Sequence, residues 1–247
     1  MNLFKKIKNI FVGFENLIST EHSCISCGRE ILDGTKYQLC KKCEDEIDKI
    51  DGNTCFKCGE KLYGENLLCD YCKNFDYKFD ENKSICYYTE VSASIIKSLK
   101  YGGKKYLAKH IAEFMCEDKD YFGGVDYITF VPMSKKNKCA RGFNQAEEIA
   151  VEISKLMNIP VIKFIDKVKE HKHQAGLNQK QRLENLKGTF EIFEKNSKEI
   201  KGKVVLIVDD VFTTGATLSE CSKILKTKKP AKVKTITFAK TKLNSIN

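Results

Sequence analysis

The chain has 247 residues, a formal charge of +10 and an ordinary apolar share of 42%, enough for one sizeable α/β domain with a small module beside it. It shows neither an apolar run of membrane-spanning length nor a secretory leader pattern, which argues against a transmembrane segment and sets the cytoplasm as the expected compartment, with the inner face of the membrane as a peripheral alternative. Disulfides are rare in a reducing compartment, so the 12 cysteines point to metal ligation.

Residues 1–20 come first. Leu3, Phe4, Ile7, Ile10, Phe11, Phe14, Leu17 and Ile18 recur at helical spacing, with Lys5, Lys6 and Lys8 on the other side. The pattern predicts an amphipathic helix, either packed on the protein or laid on an anionic membrane surface.

Residues 21–75 hold four C-x-x-C pairs: Cys24 and Cys27, Cys40 and Cys43, Cys55 and Cys58, Cys69 and Cys72. A tetrahedral all-thiolate zinc site needs two such knuckles. An internal repeat suggests the pairing, because Cys24–Gly28 through Gly34 to Leu39–Cys43 matches Cys55–Gly59 through Gly64 to Leu68–Cys72. Two sequential ribbons are expected, with a crossed arrangement as the alternative. Gly28 and Gly59 stand where a left-handed residue closes the knuckle. Four thiolates leave no open coordination position, so the two zinc ions would be structural, and a segment this short and polar could not fold without them. The isolated Cys86, Cys116, Cys139 and Cys221 read as small core residues, except Cys139, which sits in a basic loop.

Asp76 to Lys83 is dominated by Asp, Lys, Glu and Asn and reads as a linker, with the larger domain over 80–247. Within it the pattern alternates. Strands are expected at 84–89, 127–131, 161–165, 189–192, 204–208 and 233–239, and helices at 91–99, 106–115, 144–157 and 218–225. Strands separated by helices imply a doubly wound, mostly parallel sheet.

Three stretches of this domain carry candidate chemistry. Lys97, Lys100, Tyr101, Lys104, Lys105 and Tyr106 interleave cations with aromatics, a composition that can track a nucleic-acid backbone and stack bases. Residues 131–145 place Lys135, Lys136, Lys138 and Arg141 in a loop between a strand and a helix, a setting able to hold a polyanion. Residues 167–187 form a polar basic stretch with His171, His173, Lys180 and Arg182. The two histidines lack further ligands nearby and read as loop residues rather than a metal pair.

The run from Val205 to Thr217, VLIVDDVFTTGAT, is the most specific feature. It reads as a buried strand ending in two carboxylates, then a small-residue loop, then a helix start. Ligands bind at that end of a parallel strand, and a loop of Thr and Gly entering a helix offers amides and hydroxyls to a phosphate. Asp209 and Asp210 suit the vicinal hydroxyls of a ribose better than a phosphate. Gly215 is expected to let the backbone approach the phosphate closely. Together they describe a site for a ribose 5-phosphate.

This run resembles the phosphoribosyl pyrophosphate (PRPP) signature of type I phosphoribosyltransferases. The resemblance implies that Asp209 and Asp210 form the catalytic pair and hold the ribose, that Thr213, Thr214, Gly215, Ala216 and Thr217 hold the 5-phosphate, and that Lys135, Lys136 and Arg141 receive a magnesium-bound pyrophosphate. It also implies a loop near 167–187 that closes over the pyrophosphate. Arg141-Gly142-Phe143-Asn144-Gln145, Leu99-Lys100-Tyr101-Gly102-Gly103 and the later Gln174, Leu177, Arg182, Asn185 and Phe190 resemble the ComF family of competence proteins over most of the chain. That resemblance implies a double zinc ribbon ahead of a phosphoribosyltransferase-like domain and a role in moving incoming single-stranded DNA to the cytoplasm during natural transformation.

Three functions follow as expectations. The first is a competence protein that binds PRPP and handles single-stranded DNA. The second is an active phosphoribosyltransferase, in which a nitrogen nucleophile displaces pyrophosphate from the anomeric carbon. The third is an adaptor whose ribbons dock a DNA-uptake motor or channel protein. Met1 is followed by Asn2 rather than by a cysteine nucleophile, and ribbons stand where a glutamine-using domain would, so purine synthesis is not expected.

Overall fold

The computed structural model describes residues 23–31, 37–169 and 184–242. The amphipathic segment 1–20 and the stretch holding His171, His173, Gln174, Leu177, Lys180 and Arg182 lie outside these residues. Two short helices, α1 (Lys41–Asp45) and α2 (Asp70–Lys73), belong to the cysteine-rich region. Then follow β1 (Glu81–Tyr87), α3 (Glu90–Tyr101), α4 (Leu107–Met115), β2 (Tyr127–Phe130), α5 (Lys135–Arg141), α6 (Gln145–Met157), β3 (Ile165–Lys167), β4 (Phe190–Ile192), β5 (Val204–Phe212), α7 (Ala216–Lys226) and β6 (Lys232–Lys240).

Four strands make one parallel sheet in the order β1-β6-β5-β2. Its centre is β5, in which Val205, Leu206, Ile207 and Val208 are all fully buried. Successive side chains of a strand point to opposite faces. Accordingly Leu206 and Val208 join Ile128, Ile149 and Phe238 in one core, while Val205 and Ile207 join Phe164, Leu218 and Leu225 in the other. The two cysteine-rich units divide in the same way: Ile25, Leu39 and Cys43 belong to the first core, and Cys55, Cys58 and Cys72 to the second.

Several expectations change. The stretch 76–83 is not a free linker, since Tyr77 and Phe79 are buried and Glu81 already begins β1. Its charges are satisfied locally. Asp80 accepts the Val233 amide at 2.8 Å, and Glu81 pairs with Lys232 and with Lys234, the latter at 2.7 Å. A strand edged by matched charges looks like a linker in composition. Residues 161–165 give only a bridge from Val161 to Ile128, and the strand lies later, as β3, in an antiparallel pair with β4 apart from the main sheet. The basic loop after β2 is largely helical: Ser134 caps α5 by accepting the Asn137 amide. Finally, β5 runs to Phe212, so the two carboxylates lie within the strand, with Asp209 level with Thr237 of β6.

Candidate functional site

β5 delivers Asp209 and Asp210 to the carboxyl end of the sheet, and residues 213–215 then turn into α7. The Asp210 carboxylate is buried and forms an ion pair with Lys100, which reaches in from the last turn of α3. The Asp210 amide donates to Asp209 Oδ1 at 2.9 Å. Asp209 is half-buried yet closely surrounded by protein. Burial, and behind it the charge of Asp210, holds its carboxyl well above the ordinary value of 3.8. Burial works against the Lys100 ammonium too, but the adjacent Asp210 outweighs it and raises the group above 10.5.

Gly215 has φ +71°, at the N-cap of α7. A Cβ there would lie 2.5 Å from the Phe212 ring and 2.6 Å from the Tyr77 ring. Glycine is thus required by the aromatic floor beneath the loop, a reason additional to the one the sequence suggested. Thr213 is exposed, Thr214 buried and Thr217 half-buried. The first amides of an 11-residue helix have no partner within it, so the turn at Ala216 and Thr217 directs donors and a positive dipole end outward.

The Arg141 guanidinium lies 5.1 Å from the centroid of the Tyr101 ring, and its Nη1 donates to Gln145 Oε1 at 2.5 Å. It is also close enough to depress the Lys100 ammonium, which places Arg141, Lys100 and both aspartates in one electrostatic neighbourhood. Lys135 and Lys136 are exposed on the first turn of α5, whereas Lys138 pairs with Glu147 at 2.7 Å.

Apart from these residues are two groups of four cysteines: Cys24, Cys27, Cys40 and Cys43, and Cys55, Cys58, Cys69 and Cys72. Within each, all sulfur atoms lie within 4.8 Å of one another, and the pairs Cys27–Cys40 and Cys58–Cys69 are 3.7 Å apart. Four sulfurs about 2.3 Å from a central zinc would be about 3.8 Å apart, so both groups fit a tetrahedral metal. The grouping is sequential, as the repeat suggested, and the knuckles share their hydrogen bonds. Gly28 donates to the Cys24 carbonyl at 2.9 Å and Gly59 to that of Cys55 at 2.8 Å, with φ of +74° and +69° at the two glycines.

Comparison with known proteins bears on both parts. A double zinc ribbon domain model matches residues 19–73, and a phosphoribosyl transferase domain model matches residues 141–244. Competence protein F of Haemophilus influenzae is 29% identical over 210 residues, covering 82% of this chain and 90% of that protein. Competence protein ComFC of Streptococcus pneumoniae is 26% identical, covering 82% and 87%. DNA utilization protein YhgH of Escherichia coli is 22% identical, covering 76% and 84%. Over most of its length the chain is similar to the ComF competence proteins. The double zinc ribbon and the type I phosphoribosyltransferase fold are the two parts that the chain was expected to have.

The candidate nucleic-acid residues separate. Lys97, Tyr101 and Lys104 are exposed, Tyr101 at 77%. Lys105 is exposed but pairs with Glu148 at 2.9 Å. Lys100 is turned inward to Asp210, so it belongs with the two aspartates and not with a solvated basic face. Sequence reasoning missed two contributors, Tyr77 and Gln145. Gln145 was visible as the last residue of the Arg-Gly-Phe-Asn-Gln block. Tyr77 gave only a weak signal, an aromatic among Phe75 and Phe79 in a charged stretch. No helix among the described residues is long and apolar enough to cross a membrane.

Proposed function

We propose that this protein is a ComF competence protein that binds PRPP with magnesium at residues 209–217 and handles single-stranded DNA entering the cytoplasm during natural transformation. The observation that carries the reading is the Asp209–Asp210 pair, held by Lys100 beside the free amides of α7. In this reading Asp209 and Asp210 accept hydrogen bonds from the ribose hydroxyls, and Thr213 to Thr217 donate to the 5-phosphate. Arg141, Lys135 and Lys136 attract the pyrophosphate, and magnesium, when bound, neutralises part of its charge.

The Tyr101–Arg141 stack, flanked by exposed Lys97 and Lys104, supports DNA handling at the same end of the sheet. An exposed ring can stack on a base while the cations follow the backbone. The organisation proposed is the ribbons over 21–75 and the transferase-like domain over 80–247, working on the cytoplasmic side of a DNA-uptake apparatus.

Titration calorimetry with PRPP and magnesium tests the pocket. Micromolar binding by the wild type that vanishes in Asp209→Ala/Asp210→Ala supports it, and equal binding by both sinks it. Pyrophosphate release on adding a nitrogen nucleophile would show turnover as well as binding.

A further inference from the structure

The loop 213–217 is held from below by the chain that leaves the second zinc ribbon. Tyr77, five residues after Cys72, is buried, and its hydroxyl donates to the Thr214 carbonyl at 3.0 Å. Its ring occupies the space that a Cβ on Gly215 would need. The next residue reinforces the attachment, as the Lys78 amide donates to Ser219 Oγ in α7 at 3.0 Å.

From Tyr77 a run of rings leads back to the second cysteine group. Tyr77 lies 4.6 Å from Phe75, and Phe75 lies 5.9 Å from Tyr71, which stands between Cys69 and Cys72. On the other side Tyr77 meets Phe212, the last residue of β5, at 5.9 Å. The same ribbon is fixed to the sheet by Lys240, which is 3.9 Å from Cys58 Sγ, pairs with Glu60 and lies 5.8 Å from the Phe212 ring centroid. The first ribbon leans elsewhere. Ser94 of α3 donates to the Ser26 carbonyl at 2.8 Å, and Tyr37 stacks on Phe114 of α4 at 3.6 Å.

We propose that Tyr77 is the positioning residue of the 213–217 loop and that the metal in the second ribbon is its anchor, so that this metal and an anionic ligand in the loop stabilise one another. Packed groups with a shared arrangement carry such coupling, and the coupling is reciprocal. Zinc supplies the fold of the ribbon. The ring and hydroxyl of Tyr77 then set the height and angle of the Thr214–Gly215 peptide, and with it the amides that face a phosphate. The ligand arm of the test rests on the PRPP reading, whereas the loop arm does not.

The loop arm uses full-length, zinc-loaded protein and local amide hydrogen exchange. Tyr77→Phe keeps the ring and removes the donor. Exchange at 213–219 should quicken about 3- to 10-fold, as expected for one lost hydrogen bond, while exchange at residues 24–31 stays as in wild type. Unchanged exchange at 213–219 overturns the proposal.

In the ligand arm, PRPP with magnesium is added and zinc transfer to a chromogenic chelator is followed. The release phase that disappears in Cys69→Ser should slow with PRPP in the wild type, slow less in Tyr77→Phe, and leave the other phase untouched. PRPP binding with both phases unaltered also overturns it. If PRPP fails to bind but the exchange result holds, the pocket assignment is wrong and the positioning role stands.

Discussion

Lys100 and Asp210 form an ion pair at the carboxyl end of the sheet, one from the last turn of α3 and one from β5. Removing the lysine leaves a buried carboxylate without its partner, which costs about 3 kcal/mol or more. Lys100→Met should therefore lower the urea midpoint strongly, and adding Asp210→Asn should restore most of it. Lys97→Met, on the exposed face of the same helix, should change stability by less than about 0.5 kcal/mol. Equal effects at both lysines would return Lys100 to the surface.

Asp209 supplies a pH dependence with opposite signs for binding and folding. Its carboxyl is held well above 3.8, by burial first and by Asp210 second. A ribose hydroxyl needs an ionised acceptor, so PRPP affinity should rise as pH rises through the elevated value. Folding runs the other way. The native state keeps a proton that the unfolded chain releases above 3.8, so this group's contribution to stability declines as pH rises from 3.8 to the elevated value. Asp209→Asn should flatten both profiles, as measured by calorimetry and by urea unfolding across pH.

Gly215→Ala and Gly142→Ala make a matched pair. Both glycines have positive φ, +71° and +88°, but a Cβ at Gly142 meets nothing within 4 Å while one at Gly215 strikes two rings. The first substitution should cost about 2–4 kcal/mol and abolish ligand binding. The second should cost about 1 kcal/mol and leave binding intact. Comparable losses would remove the aromatic floor from the argument.

Salt dependence separates the roles of the basic residues. For single strands, each phosphate contact contributes roughly 0.7 to the slope of log K against log salt. Lys97→Ala/Lys104→Ala should lower the slope for oligo(dT) by about 1.4. Tyr101→Ala should instead weaken binding by about 1–3 kcal/mol with little change of slope. If none of these substitutions alters oligo(dT) binding, the strand does not pass this end of the sheet.

Chelation should remove two metal ions per chain and take the fold with them. Cys24 and Cys43 of the first group and Cys55, Cys58 and Cys72 of the second are buried, so each ribbon would be left with thiols in its core that have lost their metal. Loss of near-ultraviolet ellipticity in step with metal release, read by elemental analysis, checks this. A native spectrum after complete removal would refute a structural role.

The parts legible in the sequence were those whose pattern is their physics. Val205 to Val208 read as a strand because a strand covered on both faces has no polar position to alternate with. The cysteine pairing was legible because the repeat copied its glycines and leucines along with its ligands. What escaped was polarity that the fold itself neutralises. Glu81 looked like linker because its lysine partners, Lys232 and Lys234, lie some 150 residues away in sequence. Asp209 and Asp210 read as the end of β5 because the cation that neutralises Asp210, Lys100, comes from helix α3. The sequence 135–141 looked like loop because α5 buries none of its side chains and so carries no apolar stripe.

The buried ammonium of Lys240 has a consequence for genetics. Its side chain is 1% exposed, and the carboxylate that neutralises it, Glu60, belongs to the second ribbon. A chain expressed without residues 1–75 would deprive that cation of its carboxylate and open the core in which Phe79 and Phe212 pack with Cys55, Cys58 and Cys72. Such an allele would be a null for the whole protein rather than a ribbon-less version of it, and the phenotype of the deletion would report on folding before it reported on any partner.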